Sequence, residues 1–317
     1  MKKNKMLRIA LISTACLIFG VLLALLGFYN GARGVYWDKT GLHSAANQTK
    51  ITLELNNVNS ISADLADCSI ELIPSDHFYL EYSKDAPHSL TRAEVESGTL
   101  YLKGSRGLSF NFLFTSESPI RLYYPVNTGL DNISIKTSSG SVRINNEKSN
   151  SFLASSLEIS CTSGSIRLSE VNGGTASLKT SSGSIRMEQC SFETLECHAS
   201  SGSITGNRVA GAIRCSASSG SIRLEDITTS SLSLSANSGS IRTEGVCTGE
   251  SELKTTSGSI RFMNHVPLNS CSYQLEATYG SCHVNDGRAP DWADRAGNSN
   301  HITMSATSGS VRLYLDD

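Results

Sequence analysis

The chain has 317 residues and a formal net charge of −2, an average that hides a split. Four of its 27 Lys and Arg residues (Lys2, Lys3, Lys5 and Arg8) fall in the first 30 positions without an acid, leaving 23 against 29 Asp and Glu. So acidic a remainder rules against a nucleic-acid partner, which needs clustered excess cations. The fixed recurrence of Ser, Thr and Gly, with only six prolines, rules against a disordered chain.

Residues 1–8 read as a basic cytoplasmic tail. Residues 9–29 are 21 positions without a charge, enough for a helix of roughly 30 Å, the thickness of a bilayer's hydrocarbon layer. All nearby cations lie on the N-terminal side. The positive-inside rule therefore predicts a single-pass protein of the cell membrane, with its C-terminal domain extracytoplasmic. A cleaved signal peptide would have a shorter apolar core ending in a small-x-small site, and Gly27-Phe28-Tyr29-Asn30 is not one. Lipidation at Cys16 is disfavoured because the apolar run continues well past it. Residues 30–49 then form a short juxtamembrane stalk.

Residues 50–130 alternate apolar and polar side chains in five stretches, beginning at Ile51, Ser69, Phe78, Thr99 and Ile120. This pattern predicts strands, punctuated by Pro74, Pro87, Pro119 and Pro125. The region is expected to be an irregular β cap on the repeats C-terminal to it, since exposed strand edges invite aggregation.

Residues 131–317 carry the most specific signal in the chain. Nine repeat glycines (Gly140, Gly164, Gly183, Gly202, Gly220, Gly239, Gly258, Gly280 and Gly309) align. From Gly164 to Gly258 their spacing is nearly uniform, at about 19 residues, the mark of a stacked-repeat architecture. Two and four residues after each glycine the side chains are mostly apolar, as in Ile166 and Leu168, with a polar residue between them. The stretch before the glycine alternates too, with apolar residues such as Ile159 and Leu178 five positions upstream. A period of two with one apolar face is a half-buried strand. Each repeat thus predicts two short strands joined at Ser-Gly, where glycine would serve as a bend residue of positive φ. One such ribbon is marginal alone. Stacking about 4.8 Å apart buries a continuous apolar column. The expected fold is all-β, a parallel β-solenoid (β-helix-like) of about 19-residue coils behind one transmembrane helix. The longer step between Gly280 and Gly309 places an insertion with Asp286, Asp291, Trp292, Asp294 and Arg295 in a closing loop. Asp316 and Asp317 are expected to blunt the C-terminal edge.

The combination of an N-terminal helix, Ile-Ser-Ala-Asp-Leu-Ala-Asp-Cys-Ser-Ile-Glu-Leu-Ile-Pro (61–74), Gly98-Thr-Leu-Tyr-Leu-Lys, Ile120-Arg-Leu-Tyr-Tyr-Pro and serial Ser-Gly-Ser-Ile-Arg resembles the bacterial "putative adhesin" β-strand-repeat family over about residues 50–317. The resemblance implies a membrane-attached β-helix-like domain of unknown function, linked to envelope response, without catalytic residues to transfer. Relatives often carry Asp after the repeat glycine, where this chain has Ser in all nine copies.

The outward position three residues after the glycine is Arg143, Arg167, Arg186, Arg223, Arg242, Arg261 and Arg312, with Thr205 and His283 in the other two copies. Such a ladder reads first as a solubilising face, given the net acidity around it and Glu188, Glu225 and Glu244 two residues on. Its second reading is a ligand-binding grip on an anionic cell-wall polymer, a glycan or another envelope protein, because Arg forks match phosphate and carboxylate. The serines flanking the glycines are expected to bond the local backbone. Cys161, Cys197, Cys215 and Cys282 fall on inward positions as small apolar fillers. Cys197 and Cys215 are registered neighbours, but parallel side chains point the same way, which disfavours a bridge. No spacing suggests zinc, no base accompanies a nucleophile, and no cofactor is expected. The function predicted is a non-enzymatic, membrane-anchored module for adhesion, envelope-component binding or envelope-stress sensing. The alternatives are a self-assembling structural β-helix and, behind it, a carbohydrate-active β-helix enzyme.

Overall fold

The computed structural model describes residues 13–14, 16–22, 29, 35–38, 41–44, 50–83, 90–104, 108–110, 119–126, 129–146, 152–285, 287–289, 292–295 and 300–316. Most of the segment expected to cross the membrane lies outside these. Residues 16–22 are helical, and among the described residues no helix is long and apolar enough to span a bilayer. The other regular elements among the described residues are strands, with one short 3-10 turn at Leu268–Ser270.

The coils stack as the periodicity requires. Ile185, Ile204, Ile222 and Ile241 sit in register on successive parallel strands, as do Leu178, Cys197, Cys215 and Leu234 on the other side of the corner. All eight are no more than 1% exposed. These two columns, with Leu168, Met187, Leu224 and Phe262, form the core, and the alternation leaves the intervening side chains on the surface.

The corner glycines work differently from expectation. Of the nine, only Gly309 has a positive φ (140°). Each is needed because its Cα abuts the backbone of a neighbouring coil. A Cβ on Gly183 would overlap the Gly164 carbonyl oxygen, and one on Gly202 the Gly183 oxygen. Positive φ is instead carried six residues on by Glu170 (56°), Gln189 (52°), Arg208 (54°) and Asp226 (53°), where each coil turns again.

Stacking extends beyond the repeat. Ser60–Asp64 and Ile70–Ser75 form a coil of their own, parallel to Leu130–Thr137 and Val142–Asn145. Thr99–Gly104 and Ile120–Pro125 lie outside it. Leu90–Glu96 and Tyr79–Ser83 seal that outer coil with antiparallel pairs, and Lys50–Glu54 pairs in turn with Tyr79–Ser83. Val35–Asp38 pairs with Gly41–Ser44 and Leu108–Phe110 in a separate small sheet.

At the other end the order of coils departs from the order of sequence. The Gly309 coil is slotted between the Gly258 and Gly280 coils, pairing with both. The insertion expected as a polar loop supplies Gly287–Ala289 and Trp292–Arg295, which run antiparallel along the outermost coil. Asp286 and Asp291 lie outside the described residues. Asp316 therefore ends an interior strand, and the edge it was expected to blunt belongs to another part of the chain.

Candidate binding face

The position three residues after the corner glycine faces outward because both of its neighbours face inward. Parallel register then places these side chains one above another. The column runs Arg143, Arg167, Arg186, Thr205, Arg223, Arg242, Arg261, Arg312 and His283. All seven arginines predicted from sequence thus share one column whose neighbouring positions are about 4.8 Å apart, with Thr205 separating Arg186 from Arg223. Six are exposed and Arg261 is half-buried. The column continues below the repeat through Glu71 and Arg121. Sequence reasoning missed these two, although Ile120-Arg121-Leu122 repeats the pattern of Ile166-Arg167-Leu168.

Ion pairing divides the column. Glu71 accepts from Arg143 at 2.8 Å and from Arg121 at 3.3 Å. Arg223 Nη2 donates to Glu225 at 2.6 Å, and the Arg261 guanidinium lies 4.9 Å from the centre of the Tyr314 ring. Among the described residues no carboxylate is within ion-pair distance of Arg167 or Arg186. Glu188, which the sequence offered as a neutralising partner, is 3.9 Å from Arg208 instead.

Two shallow grooves flank Arg143, Arg167 and Arg186. The larger, of about 550 Å³, lies toward the corner and is walled by Ser141, Ser165, Ser184 and Ser203. The smaller, of about 230 Å³, includes Ser169 and Glu188. The serines bond the backbone as expected: Ser141 Oγ accepts from Ser165 N at 3.2 Å, Ser165 Oγ from Ser184 N at 3.3 Å, and Ser203 Oγ from Ser221 N at 3.3 Å.

Among the described residues no group of His, Cys, Asp and Glu could hold a metal ion. Ser-His contacts among the described residues include His198 Nδ1 with Ser216 at 2.8 Å and His301 Nδ1 with Ser272 at 2.9 Å. The second ring nitrogen of His301 meets Thr303 at 3.4 Å, and among the described residues no carboxylate is paired with the ring. Cys161, Cys197, Cys215 and Cys282 are buried and unbridged. Burial pushes the Cys161 thiol up to about 12, and the contact with Cys215, followed by burial, raises that of Cys197.

The family model described as Toastrack DUF4097 matches residues 58–213 and again 195–317. No curated protein matches the chain. Among solved structures, a "putative adhesin" of Parabacteroides merdae aligns at 12% identity and TM-score 0.47, covering 86% of this chain and 98% of its own. One from Parabacteroides distasonis aligns at 13% and 0.43, covering 84% and 97%. One from Bacteroides fragilis aligns at 15% and 0.40, covering 86% and 98%.

Proposed function

The chain belongs to the Toastrack DUF4097 family, an all-β repeat family of unknown function, and from that premise we propose that it is a non-enzymatic, membrane-anchored module that holds an anionic envelope polymer against its arginine face. The observation that carries this reading is the in-register column of seven arginines on a rigid stack, with Arg167 and Arg186 free of acidic partners among the described residues. A rigid sheet presents such groups without further ordering cost, and guanidinium forks suit phosphate and carboxylate.

The anchor rests on composition and exposure. Leu17, Ile18, Phe19, Val21 and Leu22 in the helical segment are all at least 51% exposed. An apolar run uncovered by protein is suited to lipid. The orientation follows from the flanking cations.

The test uses full-length protein in detergent, immobilised and presented with cell-envelope fractions, beside a variant with the ladder arginines changed to Ser. The expected result is retention of an anionic polymer by the native chain and its loss in the variant. Equal retention by both would end the proposal. Protease added to intact cells should digest the domain beyond residue 50 and spare residues 1–8.

A further inference from the structure

We infer that the groove between the serine and arginine columns, from Ser141 to Ser203, is a site for tetrahedral oxyanions: phosphate or sulfate groups on a linear polymer lying along the stack axis. This rests on the reading above and narrows it to one place and one chemistry.

Glu71 lines one end of the groove, where it pairs with Arg143, and from Ser165 to Ser203 the polar side chains are serine hydroxyls, arginines and Thr205. The Oγ atoms of Ser141, Ser165 and Ser203 each accept a backbone N–H from the next coil, which fixes the side chain and uses an acceptor lone pair. Each hydroxyl proton remains, and among the described residues no acceptor takes it. Across the groove stand Arg167 and Arg186, whose guanidinium groups carry donors only. A surface with hydroxyl protons on one wall and guanidinium protons on the other selects an acceptor-rich, negatively charged group.

The charge is also bounded. Glu71 takes up Arg143 at one end, Thr205 interrupts the column at the other, and Glu225 takes up Arg223 beyond it. Within the groove, the arginines without a carboxylate partner among the described residues are therefore those of two adjacent coils, about 4.8 Å apart; Arg242, Arg261 and Arg312, likewise without one, lie beyond Glu225 and outside the groove. A planar carboxylate satisfies one guanidinium fork in a single plane. A tetrahedral oxyanion has further oxygens outside that plane for the opposite wall, so it matches both columns better than a carboxylate does. Its bridging oxygen must leave along the open groove, so the ligand runs with the stack axis.

The experiment titrates the full-length chain in detergent with tripolyphosphate, sulfated dextran and polygalacturonate, the last as a carboxylate comparator. Three variants accompany it: Arg167→Ser with Arg186→Ser, Ser165→Ala with Ser184→Ala, and Arg242→Ser with Arg312→Ser. Charged hydrogen bonds of this kind predict that the first pair weakens oxyanion binding by about tenfold or more. The serine pair should weaken it severalfold, and the distant arginine pair by less than about threefold, since it removes only long-range attraction. A preference for tripolyphosphate or for sulfated dextran identifies which ester the groove takes. Equal losses in the two arginine pairs, or polygalacturonate binding as tightly as both oxyanion polymers, would overturn the assignment. Retention on envelope fractions that survives Arg167→Ser with Arg186→Ser defeats the groove and leaves the broader reading standing. Since both arginines are exposed, the variant should melt with the parent, and circular dichroism checks that it does.

Discussion

Changing Gly202 to Ala separates two explanations of why glycine recurs at the corner. A Cβ there would overlap the Gly183 carbonyl oxygen, lie 2.5 Å from the Gly183 carbonyl carbon and 3.1 Å from Ser184 Cα. All three are backbone atoms, so no side chain can swing aside. Carbon atoms need roughly 3.5 Å, so the two coils must part by about 1 Å at this corner. The bonds that tie them there are Ser200 N to Thr180 O at 3.0 Å, Ser201 N to Ser181 O at 2.7 Å and Ile185 N to Ser203 O at 3.1 Å. Stretched by about 1 Å they pass out of hydrogen-bond range, and each contributes about 0.5–1.5 kcal/mol net. The expected cost is therefore about 2–4 kcal/mol, or roughly 5–15 °C in Tm for a domain of this size. Urea and thermal denaturation followed by circular dichroism measure it, with Ser201→Ala as a control expected within about 0.5 kcal/mol. Gly202→Asn is the discriminating variant. Asn tolerates a left-handed turn better than Ala, so were φ the reason for glycine, Asn would rescue. Close approach predicts that Asn is at least as damaging. Rescue by Asn would refute the close-approach account, and so would a loss for Ala no larger than that of an ordinary surface substitution, about 0.5 kcal/mol.

The opposite substitution is favourable six residues after the corner. Gln189 holds φ 52° at a cost glycine does not share, so Gln189→Gly should stabilise by about 0.5–1 kcal/mol, read as a higher urea midpoint. Thr243 is buried in the apolar column with no hydrogen-bond partner for Oγ1 among the described residues, and Thr243→Val should gain about 1 kcal/mol; destabilisation would show that the hydroxyl is satisfied after all. Burial raises the Cys161 and Cys247 thiols from an ordinary value near 9 to about 12, and Cys190 to about 11. A folded value above the unfolded one contributes stability that is complete below pH 9 and is lost as pH rises toward 11 and 12. The melting temperature should therefore fall steeply above pH 9, and less so in Cys161→Ala once its own neutral-pH deficit is subtracted; identical slopes would reject the burial cause.

What was legible in the sequence is what repeats. Period two along each strand and a step of about 19 residues fix which side chains are buried and which share a column. The inward Ile204 and the outward Arg186 followed from that alone. Three things escaped because they depend on neighbours and not on pattern. Glycine's role at the corner is set by a carbonyl of the adjacent coil, a contact that composition cannot express. The charge balance of the arginine column is set by Glu71, 72 residues before Arg143. The sequence placed Glu188 as a neutraliser, but its side chain reaches toward Arg208, which occupies the left-handed turn of the next coil. Coil order at the ends was illegible for a further reason. Every coil edge offers the same parallel ladder, so the repeat alone does not specify which edge accepts which strand.

That degeneracy makes the last coil the sharpest test of the topology. A stack built in sequence order would end at Val311–Asp316, and cutting the chain after residue 299 would remove one edge coil and one interface. In the observed order residues 300–316 occupy a slot, with the Gly258 coil on one side and the Gly280 coil on the other. Their removal exposes two parallel edges and strands the Gly280 coil, with its antiparallel seal from Gly287–Ala289 and Trp292–Arg295, apart from the stack. Unpaired edges recruit other chains. The truncated protein should therefore self-associate in size-exclusion chromatography, and limited proteolysis should remove residues 271–299 before any other segment. The intact protein, sealed by antiparallel strands at both ends, should stay dispersed at high concentration. A truncated chain that remained monomeric and protected through residue 299 would mean that the Gly280 coil packs directly on the Gly258 coil, in sequence order.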